Sequence, residues 1–295
     1  METKFTLSFG IEIDQFYRKQ LLIDQSGRCL FKLESNLGHP GNQPVGSFIT
    51  QIRAKEAAQL RERVISLADE PVPDPGSIPS GIPMYEVALE EDGTRRSRQF
   101  DPYIVPPRFQ AIGRRLLEIE AKALKTCLSG VMVAFQIKPV ETLRTKPVTI
   151  YVKIVHAGSE VAKILNPALS GAAKAGRIVL TGVRADIPQE ELETIHRKAI
   201  ELDDSLLVNR EAPRMNRELA LDKAKLPALE FLFKTPLDWA PGRYEVRLIV
   251  EMGRSAKDPK AFSPGRITSE PVEITVTGQS KPEDAPVVDY KPPKL

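Results

Sequence analysis

Three histidines, two cysteines and a few glycine and carboxylate clusters are the residues of this chain whose types could do chemistry. His39, His156 and His196 fall in different segments. None stands in the i, i+4 pair or the HExxH frame that sets two imidazoles around a zinc ion. His156 closes a strand-like run, and His196 sits beside an apolar periodicity where a surface or packed role explains it better than ligation. Gly76 to Gly81 and Gly171 to Gly176 copy the G-x-x-x-x-G frame of a phosphate loop. Ile82-Pro83 and Arg177-Ile178 then follow, where Lys and Ser or Thr would have to grip phosphate and magnesium, so both frames read as loops. No G-x-S-x-G elbow supplies a hydrolase nucleophile.

The carboxylates Glu90-Glu91-Asp92 and Asp203-Asp204 read as solvated turns, because the second pair lacks the alternating spacing and central glycine of a calcium loop. Cys29 and Cys127 have no CxxC or histidine companion, and each reads as a small buried apolar residue rather than a nucleophile or half of a disulfide. Arg95, Arg96 and Arg98 lie on a strand-like run that sends alternate side chains to opposite faces, without the aromatic platform of a nucleic-acid groove. The sequence therefore assigns no catalytic, cofactor-binding or metal residue, and no cofactor.

Composition agrees with this reading. The 42 basic residues nearly cancel 39 acidic ones over 295 positions, leaving +3, too weak a field to imply nucleic acid or an anionic membrane. No segment approaches the ~20 apolar residues of a membrane span, and the start METKFTLSFGIEID alternates instead of forming a signal-peptide core. The expectation is a bacterial, cytoplasmic protein.

Elements follow from periodicity. Phe5, Leu7, Phe9, Ile11 and Ile13 alternate with polar residues, as in a strand with one buried face. A second strand over Tyr17 to Ile23 turns at Asp24 to Gly27 into a third over Arg28 to Leu33. Gly38 to Gly46 reads as a loop. Ala57, Leu60, Val64, Leu67 and Ala68 make a helical stripe, and the proline-rich stretch Pro71 to Pro83 is a loop. A hairpin over Met84 to Glu90 and Thr94 to Phe100 closes on Asp92-Gly93. Pro106 and Pro107 then open a helix with Phe109, Ile112, Leu116, Ile119 and Ala123 on one face. Residues 1–127 are thus expected to form an α+β domain of antiparallel strands with two helices.

Beyond Leu128 strands dominate: Val131 to Lys138, Val148 to His156, Arg177 to Arg184, Ala228 to Phe233, and a closing pair. In that pair Tyr244, Val246, Leu248 and Val250, then Val272, Ile274 and Val276, alternate with polar residues. Trp239, before Pro241-Gly242, is expected in the core or packed on a turn. Residues 188–226 read as an insertion. Pro188 to Leu202 fits a helix with Leu192, Ile195, Ala199 and Leu202 on one face and a Glu193–Arg197 pair; Ser205 to Lys225 fits a second helix or an ordered loop. Residues 279–295 carry a Pro/Lys-rich pattern expected of a disordered tail.

Two resemblances follow. The strands of 128–278 resemble an immunoglobulin-like β-sandwich without the Cys…Trp…Cys signature. Tyr85, Asp92-Gly93, Phe100-Asp101 and Pro106-Pro107, with the helix after them, resemble the Y-x-V…D-G…F-D…V-P-P pattern of the emfourin family of protealysin inhibitors over about forty residues. The expected fold class is multi-domain, α+β followed by all-β. The expected function is a non-catalytic binding or adaptor protein whose two domains present surface to a protein partner. The emfourin resemblance implies an alternative, inhibition of a thermolysin-like metalloprotease by the N-terminal domain. An enzyme of unrecognised type is the third reading.

Overall fold

The computed structural model describes residues 4–14, 17–36, 41, 43–68, 84–100, 107–185, 197–211, 215–252 and 265–278. It begins with four antiparallel strands, β1 (Phe5–Asp14), β2 (Tyr17–Asp24), β3 (Arg28–Leu33) and β4 (Val45–Gln51), followed by helix α1 (Ala54–Ala68). The hairpin β5 (Tyr85–Glu91) and β6 (Thr94–Phe100) and helix α2 (Pro107–Ala123) come next. Then follow β7 (Cys127–Lys138), β8 (Glu141–Leu143), β9 (Pro147–Gly158), β10 (Ala162–Leu165), β11 (Gly176–Arg184) and β12 (Arg197–Glu201). The described chain ends with β13 (Glu218–Leu221), β14 (Ala228–Pro236), β15 (Gly242–Met252), β16 (Arg266–Thr268) and β17 (Val272–Thr277). It is a β-rich fold with α1 and α2 as its α-helices among the described residues.

One nine-stranded sheet runs β14-β9-β7-β4-β3-β2-β1-β5-β6, and a six-stranded sheet runs β12-β11-β15-β17-β8, with β16 also on β15. The buried stripes of α1 (Ala57, Leu60, Val64, Leu67) and α2 (Phe109, Ile112, Leu116, Ile119, Ala123) pack on Phe5, Leu7, Phe9, Leu21, Ile23 and Phe31 of the long sheet. These residues alternate along their strands, so the apolar half of each strand meets the helices. At the other end, inward residues of β7, β9 and β14 share a core with Ile178, Leu180, Tyr244, Val246, Leu248 and Val250 of the second sheet.

β4 joins the two regions. Val45 belongs to the core between the sheets and Phe48 to the core under the helices. Their odd separation along a strand sends them to opposite faces, so the long sheet is covered on one face by helices and, beyond β4, on the other face by a second sheet. β4 pairs with β7 across residues 127–131, with a register shift at Ser47/Phe48.

The segment expected as a helical insertion is different. Arg197–Glu201 is β12, antiparallel to β11 with Ile200 opposite Leu180. Leu202 is buried and Ile200 packs on the core, an i, i+2 pattern that the open edge of β11 takes up in place of the three-and-four helical spacing. The rest of that expected helix, 188–196, lies outside the described residues. Within Ser205 to Lys225, Leu219 and Leu221 belong to β13, paired with β10, and Leu207 bridges Phe233 of β14. The expected loop at 71–83 and tail at 279–295 also lie outside the described residues. The expected loop at Gly38 to Gly46 overlaps β4, which begins at Val45.

At the turn from β14 to β15, Trp239 is 2 % exposed and packs on Tyr244, ring centroids 5.0 Å apart. The Tyr244 hydroxyl donates to the Ala240 carbonyl at 2.7 Å. Gly182 on β11 lies under the indole, where a Cβ would stand 2.5 Å from the ring.

Candidate functional site

One concavity on the second half of the long sheet lies where β4 begins after a proline. β7 pairs with β9 along Ser129 to Lys138, but β4 reaches only Val131 on its other edge. Pro44 precedes Val45 and has no N–H to extend the ladder. From Met132 onward, that edge of β7 has no strand partner among the described residues.

Across from this edge lies a strap. Beyond β3, the Glu34 carbonyl accepts the Gly265 and Arg266 amides at 2.8 and 2.9 Å. Asn36 closes a two-bond clamp on Thr268: Nδ2 donates to its carbonyl and Oδ1 accepts its amide, both at 2.8 Å. The Gly41 amide donates to the same carbonyl at 2.8 Å. Gly41 has φ +79, and a Cβ there would meet Glu270 Cγ at 2.3 Å, so glycine permits both the backbone and the close approach. Between strap and strand runs a groove of about 360 Å³, lined by Met132 to Phe135, Val155 and Val272, with Gly41, Ser269 and Glu270 on the far wall. Its walls are mainly apolar, and Glu270 supplies its one charged side chain among the described residues.

Two ionic clusters lie elsewhere. Glu251, 3 % exposed, is held between Arg177 and Arg266 (Arg266 Nε to Oε1 2.9 Å). Under α2, Glu120 Oε2 accepts Lys19 Nζ at 3.0 Å, and the ammonium stands 5.2 Å from the centroid of the Tyr85 ring, which stacks on Phe9. Burial pushes the Glu120 carboxyl above its ordinary value against the pull of the Lys19 ammonium. This cluster pins α2 to the sheet, and none of its residues lines either groove described here. The second groove, of about 530 Å³, lies along α1 and is bordered by Arg115 of α2.

The residues singled out by type do not converge. His156 lies on β9, its Nε2 2.7 Å from the Glu160 carbonyl, while His39 and His196 lie outside the described residues. Gly76 to Gly81 also lies outside them, and Gly171 to Gly176 is a 3-10 turn leading into β11. Glu91 takes the Arg61 guanidinium on both oxygens, and Asp92 and Gly93 form the hairpin turn with φ 49 and 78. Asp203 Oδ1 accepts the Ser205 amide at 2.9 Å, and Asp204 accepts the Ser170 hydroxyl. Cys29 and Cys127 are free thiols bonded to the Gly27 and Ala157 carbonyls. Of the emfourin-like pattern, Tyr85 packs on Phe9 and Asp92-Gly93 makes a turn; Asp101 and Pro106 lie outside the described residues.

No group of three or more His, Cys, Asp or Glu among the described residues is placed to hold a metal ion, and no described helix is long and apolar enough to cross a membrane. Sequence reasoning missed the groove because its walls come from strands and a strap far apart in the chain. The one local signal was Pro44. No protein-family model matches the chain, and no curated protein sequence matches it.

Proposed function

We propose that this is a non-catalytic binding protein whose second half is an immunoglobulin-like sandwich, and that it takes an extended segment of a protein partner along the open edge of β7. The observation carrying the proposal is that edge itself. From Met132 to Lys138 one side of the strand has no strand partner among the described residues, and it runs beside an apolar groove. An added strand gains main-chain hydrogen bonds from such an edge and side-chain specificity from such a groove. The immunoglobulin-like reading is supported by Tyr244, near the start of β15, bonding back to the Ala240 carbonyl as a tyrosine corner does. Two packed sheets sharing one core agree with it.

The test uses the full chain as bait in extract of its host, wild type beside Ala134→Lys. Ala134 is exposed beside the groove, and a lysine on a strand edge opposes further pairing without touching the core. The expected result is a set of proteins retained by wild type and lost from the variant. Identical retention by both overturns the β7 surface, and turnover of ester, phosphate or glycoside substrates that survives stringent purification overturns the non-catalytic reading.

A further inference from the structure

The groove along α1 carries more positive charge than the described carboxylates compensate. Arg53, Lys55, Arg63 and Arg115 line it, with Glu56 as the only carboxylate. Glu56 is already taken: its Oε1 accepts Arg115 Nε at 2.6 Å, and Arg115 also binds Glu118. Arg53, Lys55 and Arg63 are exposed, and no carboxylate among the described residues lies within ion-pair distance of them. Three cations therefore stand around one concavity with no ion-pair partner among the described residues, in a chain whose formal charge over all 295 residues is only +3.

We infer that this groove binds an acidic polypeptide segment. Lys55, Gln59 and Arg63 follow one another at four-residue intervals on one face of α1, so the two cations are about 12 Å apart along the axis. A phosphate group is gripped by donors converging on one point. Cations strung along a line instead match an extended chain, whose same-face side chains recur about every 7 Å. Leu60, 2 % exposed, supplies an apolar floor beneath them, which lowers the local dielectric and strengthens ion pairs formed above it. A volume of about 530 Å³ holds several side chains, and the Gln59 amide can meet a peptide backbone. These residues are separate from the β7 groove, so the two readings stand or fall apart.

The experiment follows the fluorescence anisotropy of labelled hexaglutamate titrated with the full chain at low ionic strength. Wild type is expected to bind saturably, and Lys55→Glu/Arg63→Glu to bind at least about tenfold more weakly, since reversing charges in a complementary surface adds repulsion to lost attraction. Lys163→Glu/Lys234→Glu, the same charge change on β10 and β14, is expected to leave binding intact, as is Ala134→Lys. Should the Glu pair disturb folding, Lys55→Gln/Arg63→Gln supplies the same comparison without repulsion. Absence of saturable binding overturns the inference, as does equal weakening by the two charge-reversed pairs. Displacement by inorganic pyrophosphate at lower concentration than unlabelled hexaglutamate overturns it in favour of a small phosphoanion site.

Discussion

Burial decides the character of the side chains whose types suggest chemistry. Cys29 is fully buried in β3, and loss of solvation pushes its thiol up to about 11; burial does the same to Cys127, also to about 11. At neutral pH such thiols hold roughly one part in ten thousand of the reactive thiolate. The native protein should therefore react only slowly with an aromatic disulfide reagent, and both thiols should appear at once on unfolding in guanidinium. Fast reaction of the folded chain would contradict this. The sign of the pH effect follows from the same shift. Well below the ordinary thiol value neither state ionises Cys29; as pH rises from there towards 11 the unfolded chain loses the proton first, so stability falls through that window, by about 2 kcal/mol for Cys29. Urea midpoints at both ends should show the fall, and Cys29→Ala should lessen it, leaving the part that belongs to Cys127. The burial of Cys29 was legible from its place on the alternating apolar side of β3; the Lys19–Glu120 pair was not, because its partners meet only across the sheet and α2.

At the scale of elements, alternation was the dependable signal. β1, β3, β9, β11, β15 and β17 stand where period-two patterns placed them, because each has one face in a core and one outside. β4 was illegible: Gly46 and Ser47 interrupt its apolar pattern, and Val45 and Phe48 serve cores on opposite faces. β12 was misread because a short apolar pair fits either period until a neighbouring edge selects one. The corner between β14 and β15 supplies a prediction. At Gly182→Ala the new methyl meets the Trp239 indole at 2.5 Å, where neither strand nor ring has room. Overpacking of this kind costs about 1–3 kcal/mol, seen as a lower urea midpoint with a changed near-ultraviolet Trp signal. An unchanged midpoint would mean that the indole moves aside freely.

For the whole molecule, the decisive contacts join residues far apart in the chain. β4 pairs with β7, and Asn36 clamps Thr268. Asn36→Ala removes two buried hydrogen bonds and leaves the Thr268 amide without its Asn36 acceptor, while the carbonyl keeps the Gly41 amide, at about 2–3 kcal/mol. Because the long sheet is continuous, we expect Trp239 fluorescence, reporting the core between the sheets, and helical circular dichroism, reporting α1 and α2, to lose their signals at one urea concentration in wild type. In Asn36→Ala both midpoints should fall together. Two separated wild-type transitions would show that the sheet does not couple the cores.

The sequence by itself determined the strand-rich class, the two helices with their buried stripes and the tight turn at Asp92-Gly93. These depend on local periodicity, turn chemistry and residue type, all carried within a few neighbouring positions. Only the tertiary structure decided that β4 bridges two cores, that residues 197–201 extend a sheet, and that beyond Val131 one edge of β7 has no strand partner among the described residues and faces a strap from a distant part of the chain. The α1 groove belongs there too, since Arg115 neutralises Glu56 from another helix and leaves Arg53, Lys55 and Arg63 with no ion-pair partner among the described residues. Pairing, charge compensation and concavity are relations between distant segments, and no local pattern encodes them.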